Sequence, residues 1–441
     1  MWTRRGFVRK YRKYISYIGI MLCVVLVSVV GATILSEKKV TRQLEWESKL
    51  PERKEQKKKE EKKIRVLIKT DGFQQETHTN VKVKAASGLV LQAGETKKKV
   101  TGKKTYTITP DYKLFEQGSV IIKPKKKGDK ITLVGLKRGY GEPSYRGMLE
   151  LYKTAEGIAV VNEVSIEEYL YAVVPSEMPP SYEIEALKTQ AVCARSYAHC
   201  QMQEYSYPEY KAHVDDSTTF QVYGNCKEAE RATKAVKETK GELLYYGKEV
   251  VRTYYYSTSC GHSTSVEAWG TKMTKKNRYL KGADICDEKG ADYEKDLSWY
   301  RWSATIPKQK LSDLIELNTG TEIGTLTDLK VTKKGKGGVA LSIKATGTER
   351  SITVETENKI RRALGGSGYE IEKQDGTKIS STTLLPSAFI TITKAGETYV
   401  IKGGGFGHGI GMSQNGANEM AKDKKTYREI LNLFYPGTKV G

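Results

Sequence analysis

At 441 residues, with 38% hydrophobic content, the chain is long enough for two or three domains and apolar enough to bury a core, which excludes a disordered tail. A formal net charge of +22 and a pI near 9.4 point to an anionic contact: nucleic acid, a membrane surface or an acidic bacterial wall polymer. Charge alone does not choose among these.

The N-terminal residues narrow the choice. Residues 1–14 carry Arg4, Arg5, Arg9, Lys10, Arg12 and Lys13, and residues 15–35, "ISYIGIMLCVVLVSVVGATIL", hold no charge. That apolar length can span a bilayer as a helix, and the basic flank keeps the N-terminus cytoplasmic. A cleaved signal peptide is the alternative, but the run is long for one and no clean small-x-small site comes after it. The expectation is a single-pass membrane anchor with everything after residue 35 extracytoplasmic. Nucleic acid then drops out as a partner, and an anionic wall fits better. Five cysteines lie beyond the span, Cys193, Cys200, Cys226, Cys260 and Cys286, in a compartment that permits disulfides.

Residues 36–63 are almost wholly Lys, Glu, Arg and Gln and are expected to be a charged linker. From Ile64 the hydrophobic period becomes two, in "IRVLIKT", "VKVKAA", "GLVLQAG", "GSVIIKP" and "DKITLVGL", predicting a β-rich part over 64–160. Ser165-Ile166-Glu167-Glu168 is a capping box that opens a helix through "EEYLYAVV", ending before Pro179 and Pro180. Ile184, Leu187, Ala191, Ala194 and Ala198 recur at helical spacing, with small residues Thr189, Cys193, Ser196 and Cys200 opposite, so this helix should pack on both sides. Further helices are predicted over "EAERATKAVKETK", "LSDLIELN" and "VETENKIRRALGG", and a hairpin turning at Gly247. A last helix opens with the capping box Thr426 to Glu429 and stops at Pro436. The fold class expected is α+β, with a mixed extracytoplasmic domain over 161–441.

Four groups carry candidate chemistry. Glu177 stands before Met178, Pro179 and Pro180, on what should be a stiff loop. Val173, Val174 and Met178 beside it would raise its carboxyl pKa, whereas a nearby helix N-terminus would lower it; the plain alternative is a capping or surface acid. "YYYSTSCGHSTSVEAWG" joins aromatics to small hydroxyl residues, as sugar sites do, or is an ordinary strand end. "GGGFGHGIGMSQNG" surrounds His408 with glycines that permit close backbone approach, as a binding loop or as a packing turn; it lacks the Gly-Lys-Ser/Thr ending of a phosphate loop. A metal would have to draw on His213, Cys226, Cys260 and His262, without any Cys-x-x-Cys pair. Cys193 and Cys200, about 10 Å apart in helical rise, cannot bridge each other.

In order and spacing, "VNEVSIEEYLYAVVPSEMPPSYEIEALKTQAVCARSYA", "HVDDSTTFQVYG", "YYYSTSCGHSTSVEAWG", "RYLKG" and "GGGFGHGIGMSQNGANEMA" resemble the stage II sporulation protein D and amidase-enhancer family. Phe406 stands where that family commonly has Trp, and Asn415 where it commonly has an aromatic residue. The resemblance implies a lytic transglycosylase acting on peptidoglycan glycan strands, with Glu177, from the Glu-Met-Pro motif, as its catalytic acid and base. It also implies substrate contacts from Ser257, Ser259, His408 and Gln414. No cofactor is required; zinc is an open option, with His213, Cys226, Cys260 and His262 as its ligand candidates. Other cell-wall hydrolases are candidate partners, because a non-catalytic wall-binding enhancer that activates a separate hydrolase is the alternative the family name allows.

Overall fold

The computed structural model describes residues 62–102 and 104–441. The expected membrane helix at 15–35 and most of the linker lie outside the described residues. Among the described residues no helix is long and apolar enough to cross a membrane.

The alternating segments form two antiparallel sheets. The larger has eight strands, in the order Val214–Asp215, Lys63–Leu67, Ile158–Ser165, Met148–Lys153, Val120–Pro124, Leu89–Ala93 and Thr96–Val100, with Thr77–His78 added beside Ile158–Ser165; Val214–Asp215 alone pairs in parallel. The smaller runs Tyr106–Ile108, Val81–Lys84, Ile131–Val134 and Ser144–Tyr145. Period-two burial puts Leu89, Leu91, Val120 and Ile122 into the core, while Lys97 and Lys99 stay exposed on the edge strand. The expected division at 160/161 falls inside Ile158–Ser165, whose residues pair with Lys63–Leu67. One apolar core runs from Ile64 to Tyr435, so the β-rich part and the helices after it fold together.

Ser165 ends that strand and caps helix α1 (Ile166–Glu177), its hydroxyl accepting from the Glu168 N–H. Helix α2 (Ile184–Gln201) is buried on nearly every side, as its small residues foretold. It packs against α1, α3 (Glu230–Glu238), α6 (Gln414–Lys422) and α7 (Tyr427–Phe434). The Thr426 to Glu429 capping box is present at the start of α7. Arg195, 1% exposed on α2, ties three helices. Its Nε and Nη2 each donate to the Glu167 carboxylate of α1 at 2.9 Å, and Nη2 also reaches the Val236 carbonyl of α3 at 3.1 Å.

A second core, with Trp302, Ile306, Leu314, Ile343, Ile360 and Ile401, occupies the stretch between the aromatic-hydroxyl motif and the glycine-rich loop. It is built from a five-stranded and a three-stranded sheet with α4 (Lys308–Thr319) and α5 (Glu357–Leu364). Its strand Thr398–Gly403, paired with Trp302–Pro307, delivers the chain directly into the glycine-rich loop. The described chain is thus a mixed α+β fold.

Removing the Glu167 carboxylate would strand a buried guanidinium. Glu167→Ala is expected to cost about 3–5 kcal/mol in denaturant unfolding, and replacing both partners by apolar residues of similar volume should recover most of that loss.

Candidate functional site

Glu177 is the last residue of α1, not a loop residue as its prolines suggested. The helix tolerates Pro175 in its interior and closes at Met178, whose extended φ of −133° and ψ of 133° suit the residue before a proline. Its N–H still donates to the Val174 carbonyl at 2.9 Å. The acid therefore sits at the negative end of a helix dipole, which disfavours a carboxylate. The helix N-terminus expected to lower its pKa belongs to α2 and begins seven positions later, at Ile184.

Three of the sequence motifs meet at Glu177, through its side chain and its carbonyl. Its Oε1 accepts the Val222 N–H at 2.6 Å, and the Tyr255 hydroxyl bonds to the same carboxyl. Gln221 donates to the Tyr255 oxygen at 3.0 Å. Tyr255–Tyr256 pairs in parallel with Met412–Ser413, and the next residue, Gln414, donates to the Glu177 carbonyl at 3.0 Å and to Gln190 Oε1 at 3.3 Å. Burial pushes the Glu177 carboxyl up to about 7, outweighing the two hydrogen bonds that favour its charged form. The residue as a whole is only half-buried, so part of it faces solvent.

The expected substrate contacts divide. Gln414 adjoins the acid, holding the end of its helix. Ser257 is half-buried, with its hydroxyl 3.1 Å from that of Thr258. Ser259 is 2% exposed and its hydroxyl is committed to Glu294, so it is a core residue and not a sugar contact. His408 is also structural: its Nδ1 accepts the Ile410 N–H at 3.0 Å, and its ring lies 5.1 Å from Trp269 and 5.6 Å from Tyr256. Burial and the Arg361 charge drop its pKa to about 3, against a hydrogen bond to the Tyr255 backbone. It is neutral at any physiological pH.

The four metal candidates do not converge. His213 accepts the Arg65 N–H at 3.0 Å and stacks on Tyr205; His262 pairs with Asp284 at 3.1 Å; the Cys226 N–H donates to Ser176; and burial lifts the Cys260 thiol to about 11. Among the described residues no three His, Cys, Asp or Glu side chains are placed to hold an ion. The five described cysteines are free thiols.

Glu294 was not foreseen, since nothing in "ADYEKD" marks it. It is 0% exposed, accepting from the Ser259 N–H at 2.9 Å, the Ser259 hydroxyl and the Ser413 hydroxyl at 2.8 Å. A Cβ at position 416 would lie 2.8 Å from its Oε2, so Gly416 makes the room. Desolvation raises this carboxyl to about 7 as well, opposed by the three hydrogen bonds. It clamps the Tyr255–Tyr256 segment to the start of α6 and so holds Gln414 against the acid.

Two carboxyls with folded pKa above their unfolded value bind more protons folded than unfolded, so stability falls as pH rises from about 4.5 to 7. Glu177→Gln should therefore raise the melting temperature at pH 8 relative to wild type and leave it nearly unchanged at pH 4. Thermal unfolding at the two pH values checks this.

A family model described as Stage II sporulation protein matches residues 154–246, which carry Glu177 and its Val222 partner. A model described as Domain of unknown function (DUF8618) matches residues 273–411, the stretch that contains the second core. The chain is 32% identical over 294 residues to the amidase enhancer of Bacillus subtilis (strain 168), covering 61% of this chain and 40% of that protein. It is 31% identical over 308 residues to stage II sporulation protein D of the same organism, covering 66% of this chain and 78% of the relative, and 29% identical over 295 residues to the protein of that name in Bacillus amyloliquefaciens, covering 64% and 75%. Sharing 31% identity with a stage II sporulation protein D over 78% of that relative's length, the chain belongs to the stage II sporulation protein D family.

Proposed function

We propose that the protein is a lytic transglycosylase that cleaves peptidoglycan glycan strands between N-acetylmuramic acid and N-acetylglucosamine during wall remodelling in sporulation. The observation that carries this reading is one carboxyl, that of the half-buried Glu177, held by desolvation near a pKa of 7, so that it is substantially protonated at neutral pH. The other carboxyl lifted to about 7 beside this strand pair, Glu294, is sealed from solvent and bonded to serines. A hydrolase needs a second carboxylate across the scissile bond to activate water or form a glycosyl ester. An intramolecular transfer does not.

In the first step Glu177 gives its proton to the glycosidic oxygen as the bond from that oxygen to muramyl C1 breaks, releasing a free 4-hydroxyl on N-acetylglucosamine. The resulting carboxylate then takes the proton of the muramyl 6-hydroxyl while O6 bonds to C1. The products are a 1,6-anhydro-muramyl end and a reprotonated acid, with no water consumed. Val222 and Tyr255, which stabilise the carboxylate, serve the intermediate stage. These steps call on no metal. Residues 15–35 would anchor the chain in the cell membrane with the N-terminus cytoplasmic and the catalytic body outside, where the positive surface meets an anionic wall and nucleic acid is no partner.

A second reading is a non-catalytic wall-binding protein that activates a separate hydrolase. The 32% identity to a protein named amidase enhancer favours it. Incubating the purified chain with peptide-free glycan separates the two. Lytic activity predicts anhydro-muramyl ends by mass spectrometry, reduced at least about 10²-fold in Glu177→Gln; wild type that yields none leaves the enhancer reading. The first step needs the protonated acid, so the rate should fall tenfold per pH unit above about 7.

A further inference from the structure

The Tyr255 hydroxyl has one proton, and its neighbours dictate where that proton goes. Gln221, 1% exposed, lies among three partners. Its amide meets the Ala194 carbonyl of α2 at 3.3 Å, and a carbonyl only accepts, so the Nε2 end of the amide must face it. The same nitrogen donates its other N–H to the Tyr255 oxygen at 3.0 Å. At the opposite end, Oε1 accepts the Tyr169 hydroxyl at 3.3 Å. With the amide fixed this way, Tyr255 receives a hydrogen bond from Gln221 and cannot return one. Its own O–H is left for the Glu177 carboxyl, the bond that favours the charged form of the acid.

The segment that carries Gln221 is held as firmly as its side chain. The Phe220 N–H donates to the Ser217 carbonyl at 3.1 Å and the Tyr223 N–H to the Asp216 carbonyl at 3.2 Å, which closes the turn. Tyr223 packs its ring 4.7 Å from that of Tyr169 and donates its hydroxyl to Asn162 Oδ1 at 2.7 Å. Val222, next in sequence, gives its N–H to Glu177 Oε1 at 2.6 Å. One short segment thus supplies the acid with a backbone donor directly and with a second donor through Tyr255. The titratable groups that face Glu177 are tyrosines: Tyr169 of its own helix, Tyr197 of α2, and Tyr255. Burial raises the pKa of each, so each keeps its proton near neutral pH.

We propose that Gln221 is a positioning residue of the candidate site: by occupying the Tyr255 oxygen with an N–H it commits the tyrosine's proton to Glu177, which makes Tyr255 a fixed donor to the carboxylate. The role rests on the reading of Glu177 as the reacting acid. A donor aimed in advance at the oxygen that becomes negative needs no reorganisation when the proton leaves. Desolvation favours the protonated acid, and the steered hydroxyl together with the Val222 N–H offsets part of that preference, so one group can release a proton and take one back.

The protonated carboxyl of Glu177 is read by an infrared pH titration of the full-length chain, taken in each background as the difference from the same chain carrying Glu177→Gln. The wild-type midpoint is expected at about 7. Tyr255→Phe removes a bond to the charged form, so the midpoint should rise by about one pH unit. Gln221→Met keeps the length of the side chain without its donor, and it should move the midpoint in the same direction. In a Tyr255→Phe background Gln221→Met should add no further shift. An unshifted midpoint in Gln221→Met overturns the proposal, and so do shifts that add in the double variant, which a merely structural role would give. Should Gln221→Met not fold, Tyr169→Phe, which frees the Gln221 amide to turn, goes through the same cycle under the same criteria. The titration does not depend on turnover. Wild type that forms no anhydro-muramyl ends sinks the transglycosylase reading and leaves the positioning role standing; where cleavage occurs, its alkaline limb should move up with each midpoint.

Discussion

Everything at the site hangs on the short parallel pairing of Tyr255–Tyr256 with Met412–Ser413, two residues on each side drawn from segments more than 150 positions apart. It sets the Tyr255 hydroxyl on the Glu177 carboxyl and starts α6 where Gln414 can hold the Glu177 carbonyl. So small a ladder cannot be stable alone. It persists because Glu294, between the two segments, accepts from Ser259 on one and Ser413 on the other, and because Gly411, with φ of +77° and no Cβ to strike the Tyr254 carbonyl at 2.1 Å, lets the backbones approach.

The two raised carboxyls show how one physical effect serves two purposes. Desolvation dominates both, and both end near 7. Glu294 is closed in with three donors and has no route to a ligand. Glu177 accepts from one backbone amide and one tyrosine at the mouth of a helix C-terminus, with part of the residue left open. The two carboxyls share a raised pKa but differ in their surroundings: Glu294 is fully buried among serine donors, whereas Glu177 belongs to a half-buried residue at a helix end.

The insert over Trp302 to Ile401 bears on the site without contributing a charged group to the acid's surroundings. By pairing Thr398–Gly403 with Trp302–Pro307 it returns the chain at a fixed position, with the Gly405 and Phe406 backbone bonded to Trp299 and Thr258. A glycine-rich loop has high conformational entropy when free. Its anchoring at both ends, by this sheet and by α6, is what makes a defined surface of it.

Much of this was legible in the residues. Period-two runs gave the N-terminal strands, the Ser165 cap and the Thr426 box opened the helices expected of them, and the small-residue faces of α2 announced its burial on nearly every side, because these signals are local and depend on spacing alone. The motif also singled out Glu177, whose carboxyl the structure buries and raises to a pKa of about 7. What spacing could not show was that α1 runs through Pro175 to include the acid, that His408 spends its ring on Ile410, Trp269 and the Tyr255 backbone, that Ser259 belongs to Glu294, or that His213, Cys226, Cys260 and His262 stay apart. Those outcomes depend on which segments meet at long range and on how much water each group loses there. Sequence determined the elements and named the acid; tertiary packing alone decided its protonation, its neighbours and which polar residues remained free to meet a ligand.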